Sequence, residues 1–197
     1  MAYLALFIIL IGLLIFYLKG RQNKPAAHAY KHSQDTTNVE HHQTEDNAYQ
    51  GLRDMAFTTT PEQLDLKEPD DKTIVYGIIM DIGMDGGVAT IVSYQTGDAS
   101  LYTSTGGGII GGGKHENVSK AAKQFIGLAQ AYLDKATKTK MTTLPGKDVV
   151  KFYLLTNHGI YIGEGEIQQF DDNSSNWTPM FNEGNKVITE LRQISGQ

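Results

Sequence analysis

Residues 104–115 read STGGGIIGGGKH, and the expected fold depends on what this glycine-rich stretch connects. A β-prone run precedes it, and the periodicity of an amphipathic helix follows it. Six glycines in eight positions offer little side-chain chemistry, so the stretch supplies backbone N–H groups and freedom at positive φ angles. It therefore predicts either a backbone cradle for a ligand or a tight structural crossing between a strand and a helix.

Three β-prone runs lie before the glycine-rich stretch, at residues 73–80, 88–94 and 99–104. The turns between them, DGG at 85–87 and QTGD at 95–98, are only a few residues long. Parallel neighbours need a crossover of about a dozen residues or more, so turns this short join antiparallel strands. The domain is therefore predicted to open with a three-stranded antiparallel meander.

A helical pattern follows over residues 116–135, where apolar residues recur at spacings of three and four. Two further β-prone runs cover residues 149–155 and 160–164, and a last helix begins at Thr178 with proline after it. The expected fold class is α+β, a five-stranded antiparallel sheet packed by helices in the element order βββαββα. This globular domain is assigned to residues 72–197.

The glycine-rich stretch is also part of a resemblance to a domain family. Together with the run FYLLT at 152–156 and the closing helix at 181–191, it resembles an uncharacterised bacterial domain family over roughly residues 73–194. The element order is similar to that of profilin-like and roadblock modules, with one strand more in the first half than a roadblock domain has. The resemblance implies a single domain and brings no established activity.

The first residues are the most apolar part of the chain. Residues 2–18 carry no charge, and as a helix they would extend roughly 26 Å, near the thickness of a bilayer core. Lys19, Arg21 and Lys24 follow at once, and basic residues after a span favour the cytoplasmic side. The sequence predicts a transmembrane anchor at residues 1–20, single-pass in the inner (cytoplasmic) membrane, with the C-terminal domain in the cytoplasm.

A cleaved signal peptide is the alternative for this N-terminus. Residues 27–29, Ala-His-Ala, resemble a small-x-small cleavage site. Against it, the segment before the apolar run has no Lys or Arg, and three basic residues separate the run from the site. On this alternative the protein would be secreted or periplasmic.

Residues 21–71 are expected to form a polar, largely disordered linker, a flexible tether between the anchor and the sheet domain. Polar residues dominate this segment, and its apolar residues show no evident period. Two parts are expected to order, a short helix at residues 48–57 and a helix start at Thr60, which precedes a proline.

The ligand interpretation of the glycine-rich stretch names eight candidate binding residues. The run GIIGGGK at 108–114 fits the first seven positions of a phosphate-binding P-loop. However, His115 stands where a serine or threonine would hold Mg²⁺, and a P-loop follows a parallel strand, not an antiparallel meander. The structural crossing is therefore favoured, with the candidate ligand residues being Gly106, Gly107, Gly108, Gly111, Gly112, Gly113, Lys114 and His115.

Composition and motifs exclude several functions. A net charge of −5 without a Lys- and Arg-rich segment argues against nucleic-acid binding, and the absence of cysteine excludes disulfides and thiolate metal sites. Asp81 and Asp85 follow the first strand and are interpreted as turn residues, not as metal-positioning carboxylates. No catalytic signature is present, and no catalytic residue, cofactor or metal ion is predicted.

The anchor, the tether and the compact sheet domain together predict a function in recruitment. The expected function is a membrane-anchored, non-enzymatic interaction or scaffold domain, with the membrane and a protein as partners and a homodimer as one arrangement. The alternative is a nucleotide- or phosphate-responsive regulatory module that uses the loop at residues 106–114.

Overall fold

The structure is a computed structural model of the chain that describes residues 37–67 and 71–196. The predicted membrane span at residues 2–18 and the alternative cleavage site at residues 27–29 lie outside the described residues. Within the described ranges, no helix is long and apolar enough to cross a membrane.

The sheet has seven strands, so the expectation of five is wrong. Its spatial order is β4-β3-β2-β1-β6-β7-β5, and all neighbours are antiparallel. The two strands that the sequence does not reveal, β4 and β5, are only two and three residues long and form the two edges. Strands this short carry no readable alternation. The strands are β1 Val75–Met84, β2 Gly87–Tyr94, β3 Ala99–Thr103, β4 Gly108–Ile109, β5 Thr137–Thr139, β6 Val149–Thr156 and β7 Gly159–Glu166.

Four α-helices accompany the sheet in the described residues, and short 3-10 turns connect some of the elements. The long helix α4 begins with a proline in its first turn and ends where Gly196 adopts a left-handed conformation, with φ of 73°. The helices are α1 Thr37–Thr58, α2 Glu116–Ala131, α3 Ile167–Asp171 and α4 Thr178–Ser195.

One face of the sheet is covered by α2 and α4. Phe125 of α2 and Leu191 of α4 are fully buried against strand residues such as Met80 and Leu154. The periodicity that predicted α2 is confirmed, because its apolar stripe faces this core.

The other face carries a second core, which α1 and the turn after it cover. Tyr49 and Ala56 of α1 are buried there against Ile79, Tyr102 and Tyr153 of the sheet. Residues 49–66 pack on the sheet, so more of the expected linker is ordered than the helix at residues 48–57 and the helix start at Thr60. The ordered helix predicted at residues 48–57 is found, as the C-terminal half of a longer helix.

A glycine in β7 makes room for an aromatic cluster on the first face. Gly163 pairs with Phe152 of β6, and the indole of Trp177 stacks on the Phe152 ring with centroids 5.3 Å apart. A Cβ on Gly163 would overlap the six-membered ring of that indole. Only glycine therefore fits beneath Trp177.

Two glycine-to-alanine substitutions are expected to have opposite effects on stability. Gly127→Ala should raise the free energy of unfolding by about 0.5–1 kcal/mol, because alanine is the better helix former, and the added Cβ meets no atom within 4 Å. Gly163→Ala should lower it by about 1–3 kcal/mol through overpacking. Urea denaturation followed by Trp177 fluorescence measures both, and a neutral Gly163→Ala would contradict this packing.

Candidate binding site

The glycine-rich stretch connects β3 to α2 through a hairpin and an edge strand. Residues 104–107 form the hairpin turn, in which the Gly107 carbonyl accepts a hydrogen bond from the Thr103 N–H at 3.2 Å. The stretch then pairs with β3 as β4, with Gly108 opposite Tyr102. Gly111, with φ of 75°, starts the 3-10 turn that leads into α2. The backbone therefore enters α2 from an antiparallel hairpin, unlike a P-loop.

A buried ion pair holds α1 on its face of the sheet, the face opposite to α2 and α4. The Arg53 Nη2 and Nε atoms donate to one carboxylate oxygen of Asp81, at 2.6 Å and 3.0 Å. The other oxygen accepts a hydrogen bond from the Thr90 hydroxyl at 2.6 Å, and the Tyr49 hydroxyl lies 2.7 Å from Thr90 Oγ1. Asp81 lies within β1 and is fully buried. The interpretation of Asp81 as a turn residue is therefore wrong.

The guanidinium of Arg53 is held by rings as well as by charge. It lies 4.7 Å from the Phe57 ring centroid and 5.7 Å from that of Tyr153. Burial acts to lower the pKa of Arg53, but the hydrogen bond and the charge of Asp81 outweigh it, so the net pKa is raised. Arg53 therefore stays charged, and α1 is tied to the central strand β1 and to its neighbour β2.

An apolar cavity of about 700 Å³ lies between α1 and the glycine-rich stretch. We call it the α1–β3 cavity. Val92 and Tyr102, of β2 and β3, line it from the sheet. Leu52 and Met55 line it from α1, and the turn after α1 adds Leu66. A volume of this size, lined mostly by apolar side chains, is typical of a ligand or partner site.

The eight candidate ligand residues separate into four groups in the structure. Gly111, Gly113 and Lys114 line the α1–β3 cavity, whereas Gly106, Gly107 and Gly108 line an adjoining cavity of about 200 Å³. Gly112 is buried and packs beside Val118 and Leu191, and exposed His115 precedes α2 without lining either cavity. The structure thus places six of the eight along two neighbouring cavities.

Charged residues occur at the rim of the α1–β3 cavity. Asp65 and Lys114 are exposed and Asp98 is half-buried. In the described part of the rim two carboxylates outnumber a single amine, which does not favour an anion. In the described residues, no group of three or more His, Asp or Glu is placed to hold a metal ion.

Tyr102 is the most unusual residue of the site. It is 4% exposed and lines both cavities, yet among the described residues its hydroxyl has no hydrogen-bond partner. Its ring meets the Tyr49 ring edge-on, with centroids 5.8 Å apart. Burial raises the pKa of Tyr102 far above its ordinary value, so the hydroxyl keeps its proton.

Sequence reasoning predicted the helix at residues 48–57, the second half of α1, but missed its packing on the sheet, its ion pair and Tyr102. Tyr49, Leu52, Arg53 and Ala56 follow the i, i+3, i+4, i+7 spacing of one helix face, and this signal indicates an element that packs. An arginine within such a stripe requires a buried partner, which only the fold could identify as Asp81.

No family model, curated protein or solved structure matches this chain. The resemblance to a bacterial domain family stays a prediction, and the site is interpreted from its own chemistry.

Removing one partner of the buried ion pair should strongly destabilise the domain. Arg53→Met leaves the Asp81 carboxylate buried without its counter-charge and should cost about 3–5 kcal/mol in urea denaturation. The matched control is Lys147→Met, which breaks an exposed pair with Asp85 and should change stability by less than about 1 kcal/mol. Equal effects of the two substitutions would contradict the role of Arg53.

Stability should fall steeply at alkaline pH. Burial raises the pKa of Tyr49 to about 12 and that of Tyr94 to about 12. Above about pH 10 the unfolded chain loses these protons while the folded chain keeps them, so the free energy of unfolding decreases up to about pH 12. This contribution is fully present below about pH 10. Urea midpoints across this range measure the decline, which Tyr49→Phe should make shallower; an unchanged slope would count against Tyr49.

Proposed function

We propose that the described domain is a non-enzymatic interaction domain that contacts a protein partner at the mouth of the α1–β3 cavity. One observation carries this proposal. The cavity is apolar and lies beside an edge of the sheet, where β4 is the outermost strand and Ile110 is 40% exposed. Such openings beside an edge strand suit a partner's apolar side chains.

The chemistry of the lining supports binding rather than turnover. Among the lining residues that the structure describes, the ionisable side chains besides tyrosine are Asp65, Asp98 and Lys114, with no histidine or glutamate. The Ser100 hydroxyl accepts a hydrogen bond from the Gly111 N–H at 3.3 Å, so it braces the glycine-rich stretch. A nucleophilic serine would need an adjacent base, and within the described residues Ser100 makes no hydrogen bond to Asp98 or Lys114, the ionisable residues that share its lining.

The nucleotide- or phosphate-responsive alternative has one observation in its favour. Gly111, Gly113 and Lys114 lie together on the cavity wall, as the P-loop pattern requires of backbone and lysine. The rim carboxylates Asp65 and Asp98 oppose an anion there, and a mostly apolar lining offers a phosphate little in exchange for water. The interaction domain is therefore the better-supported function.

Attachment to the cytoplasmic face of a membrane stays a prediction from residues 1–20. The same holds for a homodimer, in which a second copy of the chain would be the protein partner.

Site-specific photo-crosslinking of the full-length chain in its own cells tests the interaction surface. Benzoylphenylalanine placed at Ile110 should give a protein adduct of defined mass. The matched control is Met141, an apolar residue that is 67% exposed beside β5 at the opposite edge. Met55→Trp, which fills the cavity, should reduce the Ile110 adduct at least about fivefold, because the partner's side chain is excluded. Equal amounts of adduct from Ile110 and Met141, or no adduct from Ile110, would contradict the proposal.

A nucleotide titration tests the nucleotide- or phosphate-responsive alternative. Addition of ATP to the isotope-labelled chain should leave the amide resonances of residues 106–114 unchanged, because the rim repels anions. A saturable shift at micromolar ATP would replace the interaction domain with the nucleotide-responsive module.

A further inference from the structure

Residues 140–148 connect β5 to β6, and we call them the β5–β6 loop. We propose that this loop, together with Lys138 of β5, docks on an anionic lipid surface, with Met141 and Leu144 entering the headgroup layer. The inference is independent of the proposed function. The loop begins at β5, the edge of the sheet opposite to β4, and none of its residues lines the α1–β3 cavity.

Large apolar side chains are exposed mainly on or beside this loop. Met141 is 67% exposed and Leu144 is 41% exposed. Met84 lies beside the loop, because it follows Gly83, whose carbonyl accepts a hydrogen bond from the Asp148 N–H at 3.0 Å. Three of the four large hydrophobic residues that are exposed in the described part of the chain therefore lie in one region. The four are Met84, Ile110, Met141 and Leu144.

The same region is basic, although the chain is acidic overall. Residues 135–147 contain four lysines and no aspartate or glutamate, whereas the net charge of the chain is −5. Lys138 and Lys140 are exposed and form no ion pair with any described residue. The carboxylates Asp85 and Asp148 lie at the other end of the loop, next to the start of β6. The excess positive charge is thus at the β5 end, where an anionic surface would be attracted.

The backbone of the loop is held in place by hydrogen bonds. The Lys151 ammonium donates to the Thr143 hydroxyl at 2.9 Å and to the Thr143 carbonyl at 3.2 Å. The Tyr153 hydroxyl donates to the same carbonyl, and the Met141 N–H donates to the Thr139 hydroxyl at 3.0 Å. A loop that is already ordered loses little conformational entropy when it docks.

A lipid surface fits these side chains better than an acidic protein does. At a bilayer surface, apolar side chains leave water while lysine ammonium groups stay hydrated beside the anionic headgroups. Anchor residues at protein interfaces instead meet pockets, and neither of the two cavities of this domain is lined by a residue of the loop. Exposed apolar residues next to unpaired lysines therefore indicate a lipid surface.

A single fluorescent label on the full-length chain tests the proposal. The chain has no cysteine, so Met141→Cys accepts one environment-sensitive NBD dye. Its fluorescence lifetime should lengthen with vesicles of phosphatidylcholine and phosphatidylglycerol in equal parts, and not with phosphatidylcholine alone. Added salt should shorten it again, because salt screens the attraction. The matched control is the same dye at Ile110→Cys, at the opposite edge, which should keep a short lifetime with both vesicles.

Substitutions in the chain labelled at position 141 separate the charged and apolar contributions. Lys140→Gln should lower the ratio of inserted to water-exposed dye about fivefold, the factor that one lysine gives near an anionic surface. Lys120→Gln, which removes an exposed lysine of α2, should leave the ratio unchanged. Leu144→Ser should lower it, because less apolar surface leaves water. Urea midpoints of the unlabelled variants, followed by Trp177 fluorescence, should match the wild type.

Several results would overturn the inference. These are equal lifetimes with the two kinds of vesicle, insertion at position 110 as well as at position 141, and equal effects of Lys140→Gln and Lys120→Gln. A longer lifetime with polyglutamate and no lipid would replace the lipid surface with an acidic protein partner. None of these results changes the crosslink expected at Ile110, so the inference and the proposed function fail separately.

Discussion

The hydrogen-bonded ion pair between Arg53 and Asp81 is the interaction on which the arrangement of this domain depends. Asp81 lies on the central strand β1, and its carboxylate accepts hydrogen bonds from α1 and from Thr90 of β2. Only one position of α1 satisfies all these donors at once. Without α1, the second face of the sheet would expose Ile79 and Tyr153 and leave the Asp81 charge without its counter-charge. The pair therefore fixes where α1 lies on the second face of the sheet.

The ion pair fixes position more than it adds stability. Desolvating two charges costs about as much as their attraction returns, and an apolar replacement is often as stable. Directional hydrogen bonds, however, specify one register of α1. The same helix end is bound again where the Tyr76 hydroxyl donates to the Thr59 carbonyl at 2.9 Å and the Tyr94 hydroxyl to the Ala56 carbonyl at 3.3 Å. Polar contacts thus locate a helix whose apolar stripe alone would allow it to slide.

Local sequence patterns predicted the longer strands and helices, in which the spacing of apolar residues repeats several times. The meander, α2 and the closing helix belong to this class. The edge strands β4 and β5 escaped prediction because their pairing depends on long-range register, as in Gly108 opposite Tyr102. Asp81 was misread because an aspartate before a glycine resembles a turn, and its actual partner Arg53 lies 28 residues away. The glycine-rich stretch was correctly singled out, but its neighbours in space, Leu52 and Met55, belong to a segment interpreted as linker.

The glycine-rich stretch contributes to the cavity through the side chains that it lacks. The ion pair holds α1 over β1 and β2, while the sheet continues outward to β3 and β4. The opposite wall is formed in part by Gly111 and Gly113. A Cβ on Gly111 would enter open space, whereas a Cβ on Gly113 would overlap Asp98. Gly111, which first indicated a phosphate cradle, thus leaves space open beside a lining that is mostly apolar and offers a phosphate little in exchange for its water.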